Sequence, residues 1–186
     1  MPASRYLIQL DPVVTPFYTL SPSITLTGSF QINYETTETG TEMDFTNGFG
    51  ITSGGLFKAP SSVTDIELNG VSVGLSATAP LDGKQNTVKF IGAVAESITV
   101  LGQSGSATNY FDGILSDPII NNSGTLTSFN LDEPTLNTES SLEGNNTLTY
   151  SNIPTSDREL FTFSDINGWL GAESATTPLS IGSYWT

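Results

Sequence analysis

Residues 24–34 read ITLTGSFQINY. Ile24, Leu26, Phe30, Ile32 and Tyr34 occupy even positions together with Gly28, while Thr25, Thr27, Ser29, Gln31 and Asn33 occupy odd ones. Successive side chains of a strand point to opposite faces, so this alternation predicts a long β-strand with one buried face. Upstream, Tyr6, Ile8 and Leu10 give RYLIQL the same period, and Pro12, Pro16 and Pro22 punctuate the connection. Downstream, DIELNGVSVGL sets Asn69-Gly70 between two alternating runs, the signature of a two-residue hairpin. In that register Leu68 opposes Val71, Ile66 opposes Val73 and Thr64 opposes Leu75. Asp65 and Glu67 then share the other face with Ser72 and Gly74.

Further strands are predicted in GFGITSGGLF (about 49–57), NTVKFIG (86–92), ESITVLG (96–102), NYFDGILSDPII (109–120), TLTSFNL (125–131) and TLTYSNI (147–153). Many short strands separated by Gly- and Asn-rich turns predict an all-β sandwich or barrel. One helical turn is expected at SDREL, where Ser156 is placed to cap and Glu159 follows three residues later. After Leu131 the stretch DEPTLNTESSLEGNN offers little to bury. Residues 1–131 therefore read as a β-sandwich domain. Residues 132–186 read as a less regular C-terminal extension, packed on the sandwich or on a neighbouring subunit.

Composition narrows the chemistry. The 186 residues contain neither cysteine nor histidine, which removes disulfides, thiolate nucleophiles, imidazole bases and the usual zinc ligands. Nineteen acids against five Lys and Arg give a formal charge of -14, and the cations are scattered. Nucleic-acid binding needs clustered cations, so it is set aside, as is attraction to anionic membranes. No apolar run reaches transmembrane length. The opening MPASRYLIQLDPVV lacks the pattern of a secretory signal, so the chain is expected to stay inside its producer or to leave by lysis or particle assembly.

The succession ELNGVSVG, KFIG, ESITVLG and YFDGILSDPII resembles the end of a concanavalin A-like (laminin G-like) jelly roll. More narrowly, it resembles the lectin-like domains common in bacteriophage virion proteins, including tail fibres. RYLIQL and SFQINY fit the opening of that pattern, and SFNLDEPTLN through SDRELFTF is similar to the tail that follows such domains. The resemblance implies a two-sheet antiparallel jelly roll and a virion protein, made in the host cytoplasm. It begins almost at Met1, with no fibre shaft before it, which favours a stand-alone particle component. The function expected is that of a non-catalytic structural component, a capsid decoration or fibre-associated protein. Its partners would be other virion proteins and further copies of itself. The alternative is a carbohydrate-binding attachment module that recognises host surface glycans.

Glycosidases of this fold carry acids at alternate positions of one strand. Glu42-Met43-Asp44 and Asp65-Ile66-Glu67 each put two acids on one face, but no third acid follows either pair. Catalytic residues are therefore not expected. Calcium is the one metal the composition would serve, through Asp112, Asp117 and Asn121, with Asn122, Asp132 and Glu133 also conceivable. For sugar stacking, Tyr184 and Trp185 are the candidates, and Trp169 is expected to be a packing anchor. In a regular strand Asp112 and Asp117, five apart, would point to opposite faces, with Leu115 and Ile119 beside Asp117. Pro118 lacks an N–H for the ladder, which predicts an edge or a bulge there.

Overall fold

The computed structural model describes residues 4–10, 17–105, 108–130, 138–151, 158–164 and 168–174, with backbone alone at 4–10, 139, 158–164 and 168–174. Every regular element among them is a strand: β1 (Ser4–Leu10), β2 (Phe17–Glu35), β3 (Met43–Thr46), β4 (Phe49–Ile51), β5 (Phe57–Lys58), β6 (Asp65–Leu68), β7 (Val71–Ser72), β8 (Asn86–Leu101), β9 (Gly113–Asn122), β10 (Thr125–Ser128), β11 (Thr138–Ser140), β12 (Thr147–Ser151), β13 (Arg158–Ser164) and β14 (Gly168–Ser174). The protein is all-β. A curled antiparallel sheet runs β14-β13-β1-β9-β2-β8-β6-β7, with β10 on β9 and the β11–β12 pair on β2, and a second sheet runs β3-β4-β5.

The alternating stretch 24–34 lies in β2, and Leu26, Phe30, Ile32 and Tyr34 are buried as its period requires. This strand organises the large sheet. On one side it pairs with β8 at residues 18–19 and again from 24 to 34; on the other, residues 17–21 pair with β12 and residues 28–35 with β9. The core lies where the two sheets meet. Phe30, Tyr34 and Phe90 of the large sheet meet Phe45, Phe49 and Phe57 of the small one, with ring centroids 5.2–6.3 Å apart. Rings at these distances and tilts add to the transfer free energy of their buried area. Two hydrogen bonds fasten the layers, Gly102 N donating to Phe45 O and the Thr46 hydroxyl to Val100 O.

The Asn69-Gly70 hairpin forms in the expected register, with Leu68 opposite Val71 and Val73 N bonded to Ile66 O. Asn69 and Gly70 both have positive φ, 51° and 80°, the conformation a two-residue hairpin turn demands. The face pattern holds only on the inner strand. Ile66 is buried, whereas Val71, Val73 and Leu75 are exposed, because β7 is the last strand of the sheet and nothing covers it among the described residues.

Other expectations are revised. The predicted strand around 49–57 is two short strands, because Thr52 and Leu56 close a turn between them. The two strands expected at 86–92 and 96–102 are one, β8, which ends at Leu101 and carries positive φ at Gly92 and Ala95. The helical turn at SDREL is absent where it is described: Arg158, Glu159 and Leu160 open β13, paired with β1, and Ser156 lies outside the described residues. The stretch after residue 131 is also more regular than its composition suggests. It supplies β11 to β14, and Glu143 accepts hydrogen bonds from both N and Oγ of Ser128.

Candidate functional site

Along NYFDGILSDPII the bulge is present, and it falls in the gap between β1 and β10 on the side of β9 away from β2. Asn33 pairs with Ser116 and Gln31 with Ile119, so Ile32 stands opposite two residues, Asp117 and Pro118. Asp117 absorbs the extra residue with φ 47°. The alternation therefore changes phase: Leu115 is buried before the bulge and Ile120, not Ile119, after it. Neighbours lie on both sides of β9, and the bulge sits between the last pair with β1 at Leu115 and the first with β10 at Ile119.

The three calcium candidates have separate surroundings. Asp117 Oδ2 accepts from Asn33 Nδ2 at 2.9 Å, and Asn33 Oδ1 accepts from Thr87 Oγ1 at 2.7 Å. Asn121 Oδ1 accepts from Gly124 N at 2.8 Å and so shapes the turn into β10. Asp112 borders a cleft of about 250 Å³ together with Glu35, Thr36, Glu38, Gly83 and Gly113. Its carbonyl accepts from Thr36 Oγ1. Burial, reinforced by the Asp82 charge, pushes the Glu35 carboxyl above the usual range. Among the described residues no group of three or more acidic side chains is placed to hold a metal ion. Asp132, Glu133, Tyr184 and Trp185 lie outside the described residues, and Trp169 is placed only as backbone opposite Phe163.

The most concentrated polar chemistry lies elsewhere, on the small sheet. Lys58 Nζ donates to Glu42 Oε1 at 2.5 Å and to Asp44 Oδ1 and Oδ2 at 2.9 and 3.2 Å. Asn109 Nδ2 donates to Glu42 Oε1 at 3.0 Å and approaches Asp44 Oδ2 at 3.5 Å. The Asp44 side chain is 0% exposed, against 29% for Lys58 and 42% for Glu42. Burial pushes the Asp44 carboxyl above the usual carboxylate range, against the lowering effect of Lys58 and Asn109. Burial pulls the Lys58 ammonium down, but its hydrogen bonds to Glu42 and Asp44 outweigh that and hold it above its ordinary value.

Strand register explains how these groups meet. Asp44 is paired with Gly50, and Gly50 with Lys58, so the three lie in one row across β3, β4 and β5. The lysine reaches over the middle strand because Gly50 has no side chain. A Cβ there would lie 2.1 Å from Met43 O and 2.6 Å from Asp44 Oδ1. Gly50→Ala is therefore expected to cost roughly 1–3 kcal/mol, as overpacking of a filled site does. Equilibrium urea unfolding would check it, and an unchanged midpoint would count against this geometry.

The acid pair Glu42 and Asp44 was visible in the sequence as two carboxylates on one strand face. What the sequence left open was their partner. Lys58 was legible only as one of five scattered cations, and Asn109 only as the first residue of a strand-like run. The second acid pair behaves as a solvated face: Asp65 accepts from Ser72 Oγ, and Glu67 faces Lys89 at 3.4 Å. Comparison with family models, with curated proteins and with solved structures finds no match to this chain.

Proposed function

We propose that this chain is a non-catalytic structural protein of a phage particle, a capsid decoration or fibre-associated component presenting a concanavalin A-like jelly-roll sandwich. The observation that carries the non-catalytic part is the saturation of the Glu42–Asp44–Lys58–Asn109 cluster. Its charged groups spend their hydrogen bonds on one another and tie β3 to β5. Catalytic carboxylates instead need a cleft between them that admits substrate. The two layers, joined by an aromatic core, support the sandwich, and the sequence resemblance supports the virion setting. Mass spectrometry of purified particles tests this: the protein is expected in the particle at a stoichiometry comparable to other structural components. Abundance in the lysate with absence from the particles would overturn it.

A second reading, attachment to host glycans, is favoured by the polar cleft beside Glu35, Thr36 and Asp112. A glycan array read with and without calcium separates the two. Reproducible sugar binding that is lost in Thr36→Val or Asp112→Ala would favour the attachment module.

A further inference from the structure

We propose that Lys58 and Asp44 join covalently, Lys58 Nζ to Asp44 Cγ, in an intramolecular isopeptide bond whose protons Glu42 moves. An amine bonded to both oxygens of one carboxyl stands within about 3.5 Å of its carbon, the spacing of a near-attack arrangement. Register holds that arrangement. Two strand spacings, about 10 Å, separate the backbones of β3 and β5, and the lysine arm spans them over the bare Gly50. The Asp44 side chain is 0% exposed, so its carboxyl is shielded from water. Water exclusion favours condensation over the reverse hydrolysis.

The chemistry balances without a co-reactant. Attack requires a neutral amine; the bonds to Glu42 and Asp44 hold Lys58 as the ammonium, so its proton must first move to Glu42 Oε1, 2.5 Å from Nζ. It also requires a neutral carboxyl, and burial of Asp44 favours the protonated acid. Nζ adds to Cγ, and Asn109 Nδ2, 3.5 Å from Oδ2, faces the oxygen on which negative charge develops. Glu42 returns a proton to the departing Asp44 oxygen, which leaves as water. From ammonium and neutral carboxyl, one C–N and one O–H bond form while one C–O and two N–H bonds break; one amine proton reaches the leaving hydroxyl through Glu42 and the other passes to solvent. The product closes a ring around β4 and makes the small sheet a covalent unit.

Intact mass measured on the denatured wild-type chain decides the matter. The expected mass is below the sequence mass by one water. Trypsin should then fail to cut after Lys58, leaving a 6–84 peptide that carries the loss. Glu42→Gln and Lys58→Arg should each restore the full mass, the first without removing either bonded residue. A wild-type chain at full sequence mass overturns the proposal. So does a water loss that maps to Asp82-Gly83 or Asp112-Gly113, where an aspartyl succinimide would give the same mass, or a loss that persists in Lys58→Arg.

Discussion

Against the ion-paired, uncondensed chain, Lys58→Met should lower stability by about 3–5 kcal/mol at neutral pH, toward the low end because the lysine is 29% exposed. The substitution keeps the length of the arm but removes the only cation beside Asp44 among the described residues, leaving its buried carboxyl without a counter-charge there. Burial already raises the Asp44 pKa in the fold, and the opposing effect of Lys58 disappears in the variant, so the folded value rises further. A group with a raised folded pKa is accommodated below its unfolded value and becomes destabilising as pH rises through the folded one. The deficit against wild type should therefore be smallest below about pH 4, where an unfolded aspartate is also protonated, and grow toward neutrality. Urea unfolding of both proteins at pH 4 and pH 7 measures it. A loss under about 1 kcal/mol at pH 7 would place the cluster among ordinary surface ion pairs, and a deficit independent of pH would mean the damage is steric.

Phe90→Ala should cost about 3–5 kcal/mol, the range for emptying a buried aromatic site. Phe90 is fully buried in β8, and its ring meets Phe49 at 5.2 Å, Phe57 at 6.1 Å and Phe45 at 6.3 Å, touching all three strands of the small sheet. It also stacks on Phe30 at 6.3 Å within the large sheet. Truncation removes the seat on which β3, β4 and β5 rest while the β2–β8 ladder keeps its backbone pairs. Hydrogen exchange should thus accelerate more in residues 43–58 than in β2 or β9. Val94→Ala in the same strand, at an exposed position, should stay within about 0.5 kcal/mol of wild type. Uniform loss of protection across both sheets would show that the small sheet is not a separately seated layer.

The features that the sequence announced are local ones. The period of residues 24–34 fixed which side chains of β2 face inward, since strand geometry alone dictates that alternation. Asn69-Gly70 fixed a hairpin and its register, because few other dipeptides accept two consecutive positive φ values. Pro118 announced the break in β9, because it has no N–H to give the ladder. Each of these is decided within a few residues of chain.

What required tertiary structure is partnership and phase. Nothing in residues 147–151 names β2 as their neighbour, and their pairing with Phe17 to Ser21 spans more than a hundred residues of chain. The burial of Ile120 in place of Ile119 depends on how Asp117 absorbs one residue against β2, a choice made between strands. The ion cluster depends on more still. The spacing of Glu42 and Asp44 told that two acids share a face, but Lys58 reaches them only because β3, β4 and β5 align Asp44, Gly50 and Lys58 in one row. Side-chain period is a property of one strand, and so it can be read from sequence. Which strands lie side by side, and in what register, is set by the packing of the aromatic core, and that is where the chemistry of this protein was decided.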